Sequence, residues 1–348
     1  MLKRLAYLHD DILRSKLTYQ KALLTIFVAY IHAFNLDIYT LKRQNGGAEA
    51  AVILFETLAN ALVTIAVPCF FFISGYLLFQ NYSKDKIVPK FVSRVKTLLV
   101  PFLFWQTVGF LFWSALSAIP AISSRMNNRT EFTVQRWLQC FLDNSGDGPL
   151  WYVQALFLDV LLAPVIFLLL KNRSKKVYTG ILAIIAWIVV KNLFLGNAML
   201  PLPTVSFLAG SYIGLNHKEI FHYYFDSPVF NILLLGACVL VRAFVNLPED
   251  AVDITSVVTG IAIWNLLRDG SQLKHHAKLE SAMFFIYAAH TFLLEGMEKV
   301  WLLVAGPNAW AAFFDFTIIP VIAVMILLLI GDIFKKVPWL WKVMTGSR

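Results

Sequence analysis

Cysteine and charge are both scarce in this chain of 348 residues. The three cysteines, Cys69, Cys140 and Cys238, have neither a CxxC nor a metal-ligand spacing, which favours buried small hydrophobic residues over a metal or redox site. Charged residues amount to 15% of the chain, against 59% hydrophobic residues. Because soluble domains carry about 25% charged residues, this composition excludes a soluble globular fold.

Long apolar runs fill the rest of the sequence, and a membrane-spanning helix needs about 20 such residues. Ten runs reach or approach that length, near 19–38, 53–80, 97–118, 149–170, 178–195, 201–215, 228–246, 253–267, 281–304 and 313–334. We therefore predict an all-α polytopic membrane protein with about ten transmembrane helices in one bundle. Residues 1–348 form a single transmembrane domain in this prediction, with no extramembrane domain. We expect the first part of the run at 53–80 to lie along the interface, with the chain entering the bilayer at Val63.

The positions of the basic residues predict the orientation. Net charge is +9, but in a membrane protein the cytoplasmic connectors hold most Lys and Arg residues. With the N-terminus inside, most of the 30 Lys and Arg residues fall in segments assigned to the cytoplasm. Ten spans then place both termini in the cytoplasm, and no nucleic-acid partner is expected. No cleavable signal peptide is expected either, because charged residues precede the first apolar run.

Ionisable residues inside a bilayer are costly, so each one within a predicted span is a functional candidate. Lys191, Arg242 and Glu298 lie near span ends, where we expect long side chains to reach the interface at little cost. The residues that lie deeper in their spans are His32, Asp159, His290 and Glu295.

Lys21 and His32 lie along one line of the first predicted helix. Their separation of eleven residues is about 20° more than three full turns, so both project from one face, with His32 roughly 16 Å deeper. A cation then lies at the cytoplasmic mouth and an imidazole near mid-membrane. A carrier with phosphates at one end and a thin arm, such as coenzyme A, fits this arrangement. The alternative is that Lys21 anchors the helix at the headgroups and His32 hydrogen-bonds a neighbour.

Five segments resemble the motifs of one protein family, in the same order. They are 21–32 (KALLTIFVAYIH), 67–79 (VPCFFFISGYLLF), 94–102 (RVKTLLVPF), 148–153 (GPLWYV) followed by Pro164, and 281–290 (SAMFFIYAAH). Together they resemble the acyltransferase 3 family, integral-membrane acyl-CoA-dependent O-acyltransferases of bacterial glycans and small molecules. The resemblance extends across most of the chain.

Two positions depart from the family's pattern. Lys21 stands where the family usually has arginine, and Thr97, beside Lys96, stands where a second arginine is expected. A lysine keeps the charge but lacks the planar fork that binds phosphate at two points. These two differences therefore bear on which donor binds and how tightly it binds, and not on the resemblance to the family. The extracytoplasmic hydrolase-like domain that some members carry is not expected here.

The resemblance implies acyl-CoA, most simply acetyl-CoA, as co-substrate, with no metal. The implied acceptor is a glycan, an oligosaccharide or a lipid-linked saccharide. The implied location is the bacterial cytoplasmic (inner) membrane, where the chain crosses several times and contacts membrane lipids; a homo-oligomer is left open. Lys21, Arg94 and Lys96 lie on the predicted cytoplasmic side, where they pair with the phosphates of the donor. Ordinary anchoring by positive charge is the alternative for Arg94 and Lys96.

Acyl transfer to a hydroxyl needs a base, donors for the developing oxyanion and exclusion of water. His32 is the expected base. The residues expected to orient it, or to act as a second acid or base, are His290, Glu295 and Asp159. The candidate oxyanion donors or acceptor-site walls are Ser74, Trp151, Tyr152 and Tyr287, with helix packing as their alternative role. Direct transfer and a covalent acyl-histidine intermediate both stay open, and direct transfer is the simpler expectation.

A transporter or flippase of a lipid-linked or small anionic substrate is the main alternative function. It also needs about ten spans and intramembrane charges, but it predicts binding without chemistry and usually inverted repeats, which we do not find in the sequence. The separate membrane-bound O-acyltransferase fold has its catalytic histidine in a different local context. A purely structural subunit does not need His32 and His290 in apolar surroundings.

Overall fold

The computed structural model describes residues 5–33, 39, 46–120, 131–171, 204–268 and 277–346, and this part of the chain is mostly helical. The earlier helices are α1 (Asp10–His32), α2 (Gly47–Val63), α3 (Ala66–Phe79), α4 (Ile87–Arg94), α5 (Val100–Ser117), α6 (Val134–Asp143) and α7 (Trp151–Leu170). The later helices are α8 (Val205–Asn216), α9 (Pro228–Phe244), α10 (Glu249–Leu266), α11 (Ala277–Ala305), α12 (Ala309–Phe334) and α13 (Pro338–Thr345).

Within the described residues, four helical stretches are long and apolar enough to cross a membrane. They are Gly47–Phe79, Lys84–Ser117, Gly148–Leu170 and Ala309–Phe334. These stretches confirm the predicted helical membrane character. Helices also occupy the described parts of the other predicted runs. The predicted span 178–195, with Lys191, lies outside the described residues.

A short antiparallel ribbon joins the N-terminal end of the chain to the segment after α8. Strand β1 (Leu5–Tyr7) pairs with β2 (Tyr223–Phe225). Two further hydrogen bonds continue the contact, since the Leu8 N–H donates to the His222 carbonyl and the His222 ring is 3.0 Å from the Leu8 carbonyl. The ribbon therefore places the start of α1 and the end of α8 on the same side of the bundle.

The long apolar run at 53–80 forms two helices that meet at Thr64 and Ile65. Arg242 of α9 forms hydrogen bonds at this break. Its guanidinium donates to the Ala61 carbonyl at 3.0 Å and to the Thr64 hydroxyl at 2.8 Å, and also to groups on α10. Arg242 was predicted to reach the interface from a span end. Arg242 lies in the last turn of α9 and is half-buried, and its guanidinium donates hydrogen bonds to neighbouring helices.

Helices α3 and α8 lie in very close contact. A Cβ atom at Gly75 would overlap the Phe207 carbonyl oxygen, and one at Gly210 would overlap the Phe72 carbonyl oxygen. In membranes small residues allow such approach and so replace the hydrophobic effect as a source of helix association. The glycines therefore fix the position of α3, which carries Ser74.

Helices α4 and α5 are joined by a π-helical turn, Val95–Leu99, directly after Arg94. Such turns are rare and often occur at functional sites. The C-terminal helix α13 packs against this turn. The backbone of Gly346, which has a positive φ of 71°, lies against Thr97, and the Trp105 indole donates to the Met344 carbonyl at 2.9 Å.

Helices α1 and α11 pack directly against each other, α3 packs against α1, and α7 packs against α3. The buried side chains at this centre include Leu24 of α1, Phe71 of α3 and Phe285 of α11. Close packing of large apolar side chains leaves little freedom for the helices to shift. The functional residues on α1 and α11 are therefore held in a fixed relation.

Candidate active site

A cavity of about 430 Å³ opens among α1, α3, α7, α11 and the π-helical turn. Most of its lining is apolar, supplied by Phe, Ile, Leu, Val and Met side chains. The polar residues that line it are Lys21, Thr25, Ser74, Arg94, Tyr152 and Tyr287. An apolar cavity with a few convergent polar groups is the usual form of a small-molecule site.

Two cations predicted for the donor reach this cavity from different helices. Lys21 lies in the fourth turn of α1, and Arg94 is the last residue of α4. Lys96 is exposed and does not belong to the cavity lining. The structure therefore brings together Lys21 and Arg94 and leaves Lys96 outside.

Three hydroxyl groups form one wall of the cavity. Ser74 Oγ and the Tyr152 hydroxyl are hydrogen-bonded at 2.9 Å. The rings of Tyr152 and Tyr287 are neighbours, with centroids 6.1 Å apart, and the Tyr287 hydroxyl donates to the Pro149 carbonyl. Trp151 lies outside the lining, half-exposed, with its ring 6.2 Å from that of Phe71.

His32 and His290 form a pair beyond the cavity, two helical turns after Thr25 on α1 and one turn after Tyr287 on α11. Their ring centroids are 5.0 Å apart, and His290 follows the cavity residue Tyr287 by three positions on α11. His290 Nδ1 is 2.7 Å from the Tyr287 carbonyl oxygen. Because a carbonyl only accepts, Nδ1 carries the proton and Nε2 of a neutral ring has a lone pair.

The two imidazoles differ in accessibility. His290 is buried, and within the described residues its Nε2 has no hydrogen-bond partner. The side chain of His32 is exposed. His32 is therefore the imidazole that a substrate can reach, and His290 lies behind it with an unused acceptor.

The predicted carboxylates lie elsewhere. Asp159 is buried in α7, and its carboxyl oxygens have no hydrogen-bond partner in the described part of the chain. Glu295 is half-exposed on α11 and pairs with Lys299 at 3.5 Å. Over the described ranges, neither carboxylate forms a hydrogen bond or an ion pair with His32 or His290.

Sequence reasoning missed two residues next to these groups. Thr25 lines the cavity one turn beyond Lys21, on the face that the spacing of Lys21 and His32 defines. Asp147 is buried and its carboxyl contacts Thr291, the residue after His290. Helical periodicity points to Thr25, whereas Asp147 lies in a connector, where no periodic signal exists.

No group of three His, Cys, Asp or Glu side chains that could hold a metal ion occurs among the residues that the structure describes. The polar groups of the cavity are instead two cations, hydroxyls and nearby imidazoles. This set can bind an anion, donate hydrogen bonds to an oxygen and accept a proton.

Comparison with known proteins gives a consistent result across most of the chain. A model of an acyltransferase domain matches residues 14–330. The chain is also 27% identical over 312 residues to the succinoglycan biosynthesis protein ExoH of Rhizobium meliloti (strain 1021), and this match covers 84% of the chain and 81% of that protein. No solved structure matches the chain significantly.

Proposed function

The chain belongs to the acyltransferase 3 family, a family of membrane proteins, and from this membership we propose that it acylates a hydroxyl of a cell-envelope glycan or glycan precursor. The donor in this proposal is cytoplasmic acyl-CoA, most simply acetyl-CoA, and no metal takes part. His32 is the general base. The observation that carries the proposal is the cavity lined by Lys21 and Arg94, whose lining residue Tyr287 lies one helical turn before His290 of the histidine pair.

Lys21 and Arg94 suit the phosphates of the donor. Cations paired with phosphate oxygens form strong, charge-assisted hydrogen bonds, and the two residues reach the cavity from separate helices. The apolar walls suit the thin uncharged arm that carries the thioester. Lys96 contributes a longer-range attraction in this proposal, because it lies near Arg94 but outside the lining.

His32 and His290 suit a base with an orienting partner. In the proposed reaction the Nε2 lone pair of His290 accepts the N–H of His32, so the other nitrogen of His32 faces the acceptor hydroxyl. That nitrogen takes the proton as the acceptor oxygen attacks the thioester carbonyl. The carbon–sulfur bond then breaks, and the coenzyme A thiolate receives the proton from His32. A base held by a second group is the general pattern of such sites.

Ser74 and Tyr152 suit the developing oxyanion. Both hydroxyls line the cavity and are hydrogen-bonded to each other, and a hydroxyl can donate to an oxyanion. The proton of Tyr287 is used by the Pro149 carbonyl, so Tyr287 acts as a wall. Trp151, whose ring is half-exposed, suits contact with the acceptor saccharide. Asp159 and Glu295 have no step in this mechanism.

We propose ten spans with both termini in the cytoplasm, and four contacts agree with this topology because each joins segments that it places on one side of the membrane. The ribbon of β1 and β2 joins two predicted cytoplasmic segments. The Lys16 ammonium donates to the Arg268 carbonyl at 2.6 Å, and the Asn216 amide donates to the Leu170 carbonyl at 3.0 Å. The contact of α13 with the start of α5 joins the C-terminal end to the same side.

A direct test is transfer of label from acetyl-CoA to a crude membrane glycan fraction by purified protein in proteoliposomes. We expect transfer by the wild type and a loss of at least about 100-fold in His32→Ala, because general bases contribute about 10²–10⁴-fold. His9→Ala, at an exposed histidine directly before α1, is the matched control and should keep full activity.

Two outcomes would contradict the proposal in different ways. If folded His32→Ala transfers label at the wild-type rate, His32 is not the base, but the proposed acyltransferase reaction still holds. Donor or glycan binding by the wild type without transfer favours the transporter or flippase instead.

A further inference from the structure

Asp147 is a buried carboxyl that the mechanism above does not use. It lies in the connector between α6 and α7, and only 2% of its surface is exposed. One carboxyl oxygen, Oδ2, is buried and has no hydrogen-bond partner within the described ranges. Burying a carboxyl with an unsatisfied oxygen costs free energy, so its retention needs a reason.

The connector around Asp147 is held by one side chain of α5. Gln106 Oε1 accepts the backbone N–H groups of Gly146 at 3.1 Å and Asp147 at 3.0 Å. Gln106 Nε2 donates to the Asp147 carbonyl at 3.1 Å. A Cβ atom at Gly109 would overlap the Gly146 carbonyl oxygen, so the connector lies directly on α5. Asp147 is therefore at a fixed position before any substrate binds.

This connector contacts α11 on both sides of His290. The Thr291 hydroxyl donates to Asp147 Oδ1 over 3.4 Å, and the Tyr287 hydroxyl donates to the Pro149 carbonyl. Tyr287 and Thr291 are four residues apart and so lie on one face of the helix. Since His290 Nδ1 is bonded to the Tyr287 carbonyl, the two contacts bracket the turn that sets the His290 ring.

We propose that Asp147 is a positioning residue for acyl transfer, which acts through Thr291 to hold the turn of α11 that carries His290. The role rests on the proposed function, in which His290 orients His32. Burial raises the pKa of Asp147 well above its ordinary value, and the hydrogen bond from Thr291 opposes this shift. A raised pKa favours the uncharged carboxyl. It therefore agrees with a role for Asp147 through its hydrogen bond rather than through a permanent charge.

The sharpest test exchanges the partner of Asp147. Thr291→Val removes the hydroxyl and keeps the side-chain shape, whereas Thr291→Ser keeps the hydroxyl. We expect Thr291→Val to lower kcat about tenfold without changing the donor KM, which indicates a transition-state effect. Thr291→Ser should retain at least about half of the wild-type kcat.

The carboxyl itself is tested in the same assay. Asp147→Asn keeps an acceptor for Thr291 and should stay within about twofold of the wild type, while Asp147→Ala should match Thr291→Val. The double variant Asp147→Ala with Thr291→Val should be no slower than either single variant, because coupled residues are not additive. Glu131→Ala, at an exposed carboxylate before α6, should leave kcat unchanged.

A second readout does not depend on activity. Diethyl pyrocarbonate modifies accessible neutral imidazoles, and peptide mass spectrometry gives its rate at each histidine. We expect His290 to react several-fold faster in Thr291→Val than in the wild type or Thr291→Ser, while the exposed His9 reacts equally in all three. Equal rates at His290 overturn the positioning role, even where the chosen acceptor shows no transfer. Absence of transfer by the wild type overturns only the proposed function. If Asp147→Asn is as slow as Asp147→Ala, the charge of Asp147 is required, which contradicts a role through the hydrogen bond alone.

Discussion

Lys21 and Arg94 differ in how each can hold an anion. Arg94 has a planar guanidinium that contacts two phosphate oxygens at once, whereas Lys21 is a point charge on a flexible stem. Both line one cavity, so the site combines one rigid and one adaptable cation. A lysine at position 21 therefore still attracts a phosphate group, but it orients that group less strictly than an arginine would.

Reversing the charge at position 21 should act on the donor rather than on the chemistry. We expect Lys21→Glu to raise the donor KM at least about tenfold while kcat at saturating donor stays within about twofold, because the ammonium lies at the cavity and His32 lies three helical turns farther along α1. Initial rates at varied acetyl-CoA give both constants. Lys84→Glu, at an exposed lysine outside the lining, is the matched control. An unchanged KM in Lys21→Glu removes Lys21 from the donor site.

Sequence spacing is informative at the residue scale only along a single helix. The eleven-residue step from Lys21 to His32 predicts a common face of α1, and the structure places Lys21 and Thr25 on the cavity wall. The contact of His32 with His290 depends on how α1 packs against α11, which no local spacing encodes. Asp147 depends on Gln106, 41 residues earlier in the chain, and on packing of a connector against α5.

Close contact between α3 and α8 is the main feature at the scale of elements. Gly75 and Gly210 each lie against a backbone oxygen of the other helix, which cannot move aside as a side chain can. Because α3 carries Ser74, the contact also supports one wall of the cavity. The position of the hydroxyl groups therefore depends on two glycines that touch no substrate.

Adding one methyl group at this contact should destabilise the protein. We expect Gly75→Ala to cost about 1–3 kcal/mol, as overpacking of a tight interior does, and to lower the apparent melting temperature by several degrees. Fluorescence-detected size-exclusion after heating measures the shift. Gly236→Ala on α9, where a Cβ atom meets no other atom within 4 Å, should melt at the wild-type temperature. If Gly75→Ala melts at the same temperature as the wild type, the predicted tight contact between α3 and α8 is wrong.

Apolar runs locate the helices well because membrane spans leave a continuous signal in the sequence. The predicted entry into the bilayer at Val63 lies directly before the observed break at Thr64 and Ile65, because the first part of the run at 53–80 carries the polar residues Glu56 and Asn60. The runs do not reveal the π-helical turn after Arg94, because one extra residue per turn leaves the hydropathy almost unchanged. In both places tertiary contacts, from Arg242 and from α13, accompany the irregular backbone.

At the scale of the whole molecule, two cations, Lys16 and Arg242, are bonded to groups that are distant in the sequence. Lys16 is fully buried, with its ammonium 4.2 Å from the centroid of the Trp264 ring and bonded to the Arg268 carbonyl. Arg242 is similarly satisfied at the break between α2 and α3. These contacts join distant parts of the sequence, so the bundle acts as one unit around the cavity.

The central claim is that a donor bound from the cytoplasmic side at Lys21 and Arg94 is used at His32, deeper in the membrane. Labelled acetyl-CoA does not cross a bilayer, so it reports which face the donor enters. We predict that inverted membrane vesicles, which expose the cytoplasmic face, incorporate label into glycan, and that vesicles with His32→Ala do not. Right-side-out vesicles should incorporate label only after permeabilisation. Incorporation by sealed right-side-out vesicles, with none by inverted ones, would contradict the account.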